Sequence, residues 1–146
     1  MKSNTILVAY QDELRARSLC TFFHGMGYRV EAVGVVSQII RRVLNGGIDV
    51  LLLDDEVEGV KAWELIPLLK RINRRVQAIV ISSEESLGVV RQLRGAGIFY
   101  QAMKPVDLSE LKSAVASAFK KVQRESIREG LVSFFLPNRV LTLCNS

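Results

Sequence analysis

The sequence is short of the residues that build metal and redox centres. It has one histidine, His24, and two cysteines, Cys20 and Cys144. Cys20 lies four residues before His24, but no further histidine or cysteine stands near them, and the two cysteines match no zinc or redox spacing. They read as reduced thiols of a cytoplasmic protein. No apolar run approaches the ~18 residues that a membrane-crossing helix needs. The run that follows Met1-Lys2-Ser3-Asn4-Thr5 stops at Tyr10 with no small-residue cleavage site after it, so the N-terminus does not read as a secretory signal. A glycine-rich phosphate loop is also missing after that first run, which sets aside a nucleotide- or flavin-binding enzyme.

What is present suits one ordinary domain: 146 residues, 49% hydrophobic and 24% charged, enough to bury a core and stay in solution. The net charge of +5 comes from scattered residues, among them Arg41-Arg42, Lys70-Arg71, Arg74-Arg75, Lys120-Lys121, Arg124 and Arg128. Most fall on the polar sides of expected helices or in the turns after them, as solvated helix surface does. No helix-turn-helix, zinc-finger or RNA-binding signature accompanies them, so neither direct nucleic-acid binding nor membrane attachment is expected.

Short apolar runs alternate with amphipathic stretches. Ile6 to Ala9 reads as a strand, and residues 12–26 as a helix with Leu19, Phe22, Phe23 and Met26 at helical spacing, closed by Gly27 at a left-handed position. Tyr28 to Val33 alternates as a second strand. Val36, Ile39, Ile40, Val43 and Leu44 mark a second helix, stopped by Gly46-Gly47. Ile48 to Leu53 is apolar apart from Asp49, with Val50 to Leu53 unbroken, as a central strand covered on both faces must be. A third helix buries Trp63, Ile66, Leu69 and Ile72. Pro67 lies within its span, so the helix either begins late or is kinked there. Val76 to Ser82 is a fourth strand, Leu87, Val90 and Leu93 mark a fourth helix ended by Gly95-Ala96-Gly97, and Ile98 to Met103 is a fifth strand. Asp107-Leu108-Ser109-Glu110 has capping-box spacing and opens a last helix bearing Leu108, Leu111, Val115, Phe119 and Val122. Five βα repeats require a doubly wound parallel α/β sheet with helices on both faces, because each parallel crossover is right-handed. Function in such sheets sits at the carboxyl ends of the strands.

At those ends stand Asp54 after the third strand, Ser82 after the fourth, and Lys104-Pro105 after the fifth. With the segment Asp49-Val50-Leu51-Leu52-Leu53-Asp54-Asp55 and Gly59 in the loop that follows, this resembles the CheY-like receiver domain of two-component signalling, over residues from about 5 to 120. The resemblance implies a flavodoxin-like five-stranded sheet in the order 2-1-3-4-5. It also implies Asp54 as phosphoacceptor, Lys104 and Ser82 contacting the phosphoryl oxygens, a cis peptide before Pro105, and a divalent ion, usually Mg²⁺. The likeness is to a signalling module, not an enzyme.

The chain departs from the family where the metal is held. Tyr10 and Gln11 stand at the positions of the usual acidic pair, leaving Asp12, Asp54 and Glu56 as a degenerate metal set from which only weak Mg²⁺ binding is expected. Gln101 stands where a switch aromatic is common. Residues 1–122 are read as the receiver-like domain and 123–146 as a C-terminal extension. In it Gly130 is expected to end the last helix, and an apolar stretch from Leu131 to Leu143 follows, with a turn at Pro137-Asn138. Two functions stay open. In the first, a sensor histidine kinase or phosphotransfer protein phosphorylates Asp54, weakly for want of the acidic pair. In the second, the domain is a phosphorylation-independent pseudo-receiver that binds a partner or itself through the fourth-helix, fifth-strand and fifth-helix face and the C-terminal tail.

Overall fold

The computed structural model describes residues 4–135. Its elements run β1 (Thr5–Ala9), α1 (Glu13–His24), β2 (Arg29–Val33), α2 (Val36–Asn45), β3 (Val50–Asp54), β4 (Glu56–Val57), β5 (Val60–Lys61), α3 (Ala62–Ile72), β6 (Gln77–Ser82), α4 (Leu87–Ala96), β7 (Tyr100–Met103) and α5 (Leu108–Phe135). The main sheet is parallel in the order β2-β1-β3-β6-β7, which is the expected 2-1-3-4-5 once the two-residue strands β4 and β5 are set aside.

The pleat sorts the strand residues between two cores. Ile6, Val8, Val50, Leu52, Ile79 and Ile81 face α1 and α5, packing on Leu19, Phe23, Leu111, Val115 and Phe119. Leu7, Ala9, Leu51, Leu53, Ala78 and Val80 face the other way, onto Ile39, Val43, Leu65, Ile66, Leu69 and Leu93 of α2, α3 and α4. The continuous apolar run of β3 follows from this, since both of its faces are covered. Each fully buried Leu or Ile stabilises the fold by roughly 1.5–3 kcal/mol relative to exposure, so it is these two layers that hold the strand ends in register.

Helix ends follow their local chemistry. Gly27 at φ +96° closes α1, with its N–H on the His24 carbonyl and the Tyr28 N–H on the Phe23 carbonyl, and Gly97 at φ +91° closes α4 in the same manner. Asp107 caps α5 through the Ser109 and Glu110 N–H groups. The Glu110 carboxylate, expected to complete a capping box, takes the Tyr100 hydroxyl instead, because β7 brings that phenol alongside.

Several expectations are corrected. α3 does not begin late: it starts at Ala62 and carries Pro67 within it, on the exposed side, while Leu65, Ile66 and Leu69 pin the other side to the sheet. Met26, Leu44, Leu87 and Leu108 are exposed, not buried, each lying near or just beyond an end of a helix. Gly130 does not end α5, which continues to Phe135; glycine in a helical conformation costs only about 1 kcal/mol relative to alanine. The expected turn at Pro137-Asn138 lies outside the described residues. A hairpin that the sequence reading passed over, β4–β5, turns on Glu58 and Gly59, both at positive φ (52° and 78°), the geometry of a two-residue hairpin turn.

Candidate functional site

The register of β3, β6 and β7 brings three strand ends together. Asp54 pairs with Ile81 and Ser82 pairs with Met103, so the next residue of the last strand, Lys104, emerges beside Ser82; its N–H donates to the Ser82 carbonyl at 2.9 Å. From there the Lys104 ammonium crosses to Asp54, Nζ to Oδ1 at 2.7 Å. Asp54 Oδ1 also accepts the Asp55 N–H at 2.9 Å. Both side chains of the pair are about four-fifths covered, at 18% exposure for Asp54 and 22% for Lys104. The Lys104–Pro105 peptide is cis. A nucleophilic carboxylate with a cation on one oxygen, at a rim still open to solvent, can receive an electrophile whose charge that cation then offsets.

Ser82 is fully buried, and its hydroxyl is engaged with the backbone of the loop ahead of α4: it accepts the Glu84 N–H at 3.0 Å and donates to the Glu84 carbonyl at 3.3 Å. Gln101 reaches the same carbonyl, Nε2 to O at 3.2 Å. An amide thus holds this loop from the position where the family often has an aromatic ring.

Tyr10 is buried at the end of β1, with its N–H on the Val33 carbonyl. Burial, and then the charges of Asp54 and Asp55, hold its hydroxyl protonated well above the usual tyrosine range, with Arg15 opposing. A cleft of about 650 Å³ opens beside it, lined by Arg15, Ser18, Leu19, Lys104 and Pro105 among others.

The remaining carboxylates of the expected metal set do not converge. Asp12 caps α1, Oδ1 accepting the Leu14 and Arg15 N–H groups at 3.0 and 3.3 Å. Glu56 bonds Lys61 at 2.6 Å across the β4–β5 pair. Gln11 accepts the Glu58 N–H through Oε1 at 2.9 Å. Among the described residues no three Asp, Glu, His or Cys side chains are grouped to hold a metal ion. This donor set is a poor fit to Mg²⁺, which takes oxygen ligands in near-octahedral array.

Two participants escaped the sequence reading. Asp55 turns back to the loop after β6, and Glu58 crosses to α2, its Oε1 accepting the Val36 N–H at 2.6 Å. The doubled aspartate was visible in the sequence as a signal for the first. Nothing local announced the second, which acts across 22 residues of chain.

Comparison with known proteins agrees with this architecture. The chain is 31% identical over 118 residues to the DNA-binding transcriptional regulator NtrC of Azospirillum brasilense, an alignment covering 81% of this chain. The chain spans about a quarter of the length of the curated relatives it matches. A CheY-like response regulator receiver domain protein from Methanospirillum hungatei JF-1 superposes with a TM-score of 0.79 at 19% identity, covering 85% of this chain and 99% of that one. The beryllofluoride-activated NtrC4 receiver domain dimer superposes with a TM-score of 0.76 at 18% identity, covering 82% and 98%. The family model of the response regulator receiver domain matches residues 6–116. With its strand order, its three converging strand-end residues and this match, the chain belongs to the response regulator receiver domain family.

Proposed function

We propose that the domain accepts a phosphoryl group on Asp54, slowly, from a sensor histidine kinase or a phosphotransfer protein. The observation that carries this reading is the 2.7 Å contact between Lys104 Nζ and Asp54 Oδ1. An Asp54 carboxylate oxygen attacks the phosphorus of a phosphohistidine. The P–O bond forms as the P–N bond breaks, and the histidine leaves as imidazole, taking a proton from solvent. Lys104 offsets the incoming negative charge, and the Ser82 hydroxyl exchanges a Glu84 contact for a phosphoryl oxygen. Mg²⁺ in receivers supplies further charge neutralisation; with Tyr10 and Gln11 in place of acids, its binding here is weak and transfer correspondingly slow. Intact mass after acetyl phosphate and Mg²⁺ tests the reading: wild type gains one phosphoryl group and Asp54→Ala gains none. Equal labelling of the two, or no labelling of either, refutes it.

A second reading, a phosphorylation-independent interaction module, is favoured by α5. The helix runs on past the matched domain to Phe135, and Ile127 and Leu131, one turn apart, are exposed at 64% and 53%. In this reading the continuation of α5 to Phe135 adds to the receiver a surface for a partner or a second copy; the rest of the 123–146 extension lies outside the described residues. Sedimentation then shows association lost on truncation after Glu129 and retained in Asp54→Ala; the reverse pattern returns the domain to a phosphoryl switch.

A further inference from the structure

Phosphoryl transfer to Asp54, if it proceeds as proposed above, delivers three non-bridging oxygens to the ends of β3, β6 and β7. They need donors, and those the strand ends offer are the Lys104 ammonium, the Ser82 hydroxyl and the Ser83 N–H and hydroxyl at the start of the loop after β6. Lys104 and Ser83 already hold an anion. Asp55 Oδ2 accepts both the Ser83 N–H and the Ser83 hydroxyl, each at 2.9 Å, and lies 3.6 Å from Lys104 Nζ. One ammonium is therefore shared between the phosphoacceptor and its neighbour. The loop is gripped from its other side as well, by Ser82 and Gln101 on Glu84. Burial pushes the Asp55 carboxyl up, yet the surrounding Ser83, Ser82 and Lys104 donors bring it below the ordinary carboxylate value, so the charged form is the one these contacts favour.

We infer that Asp55 is an internal anion seated on the donors that a phosphoryl group on Asp54 requires, holding the loop between β6 and α4 inward without phosphorylation and competing with the phosphoryl group when it arrives. The reasoning is one of supply: a backbone N–H and a hydroxyl each donate a single hydrogen. A phosphoryl oxygen gains these contacts only by displacing Asp55, which must swing out to solvent and carry its charge with it. Proximity of like charge adds to the competition, since a phosphoryl group beside an ionised Asp55 is disfavoured. Asp55 is in this sense a positioning residue. It acts on the reaction through Ser83 and Lys104, and it sets the loop that leads into α4.

The test uses the full chain as wild type, Asp55→Asn, Asp55→Ala and Asp54→Ala. Asp55→Asn keeps the shape and one acceptor but removes the charge; Ser83→Ala, which deletes only the hydroxyl arm, serves if either Asp55 variant folds poorly. Two quantities are read: amide hydrogen exchange at residues 83–87 with no phosphoryl donor present, and the rate of phosphoryl incorporation from acetyl phosphate and Mg²⁺ by intact mass. The expected result is exchange about fivefold faster or more in Asp55→Ala and unchanged in Asp54→Ala, with labelling about tenfold faster in Asp55→Asn than in wild type. Unchanged exchange in folded Asp55→Ala overturns the inference, and so does wild type labelling as fast as Asp55→Asn. If no variant is labelled at all, the phosphoacceptor reading fails by itself, and the exchange result still decides whether Asp55 holds the loop.

Discussion

Glu58 Oε1 accepts the Val36 N–H at 2.6 Å, so the first turn of α2 is capped by a residue from the β4–β5 turn. The local cap position of α2 is Val35, which has no side-chain oxygen to offer. The same Glu58 gives its own N–H to Gln11, so one exposed glutamate links the end of β1, the hairpin and α2.

Substitution of Glu58 should therefore report two opposed effects. Glu58→Ala loses the cap and keeps the strained φ of 52°, and should cost about 1 kcal/mol. Glu58→Gly loses the same cap but relaxes the backbone, and should fall within about 0.5 kcal/mol of wild type. Urea unfolding of the two variants decides; Glu58→Ala as stable as wild type would mean that the cap contributes nothing, and Glu58→Ala equal to Glu58→Gly would mean that the backbone there is unstrained.

Lys104 serves two adjacent carboxylates, which makes the two ends of its ion pair unequal. Lys104→Ala leaves Asp54 and Asp55 facing each other without a cation, and should cost about 1–2 kcal/mol after allowance for partial exposure. Asp54→Asn leaves Lys104 with Asp55 and removes a like-charge contact, so its cost should be near zero or of the opposite sign. Denaturant midpoints for both variants provide the comparison, and an Asp54→Asn loss as large as that of Lys104→Ala would contradict it.

Tyr10 should stay protonated in the folded state at pH 11, where an ordinary tyrosine with pKa about 10 is mostly ionised. Because its folded value lies above the unfolded one, the stability it contributes is complete below about pH 10 and is lost as pH rises beyond that. Absorbance at 295 nm, with Tyr10→Phe to assign the step, checks this. Asp54→Asn should lower the step without returning it to the ordinary range, since burial is the larger cause.

Restoring the acids should restore the metal. Tyr10→Asp with Gln11→Asp should tighten Mg²⁺ binding about tenfold or more by adding carboxylate oxygens beside Asp54. Gln11→Asp also shortens the tether to Glu58, so a modest loss of stability should accompany the gain. Calorimetric titration showing that wild type binds Mg²⁺ as tightly as the double variant would remove the link between the missing acids and a weak site.

The amino-acid sequence by itself determined the parallel sheet and the strand-end positions of Asp54, Ser82 and Lys104, while its strand order was what the resemblance to receiver domains implied. Burial on one face or two writes a period into the chain, crossovers have one hand, and a strand's last residue is a position along the chain before it is a point in space. Tertiary structure alone decided what each side chain is bonded to. Asp12 reads as a metal ligand and is a helix cap; Glu110 reads as half of a capping box and answers Tyr100; Gly130 reads as a stop and lies within a helix. Asp55 and Glu58 acquire their roles from Ser83 and Val36, 28 and 22 residues away. A carboxylate has several lone pairs and takes whichever donors the fold carries within about 3 Å, and sequence pattern does not encode that distance between elements.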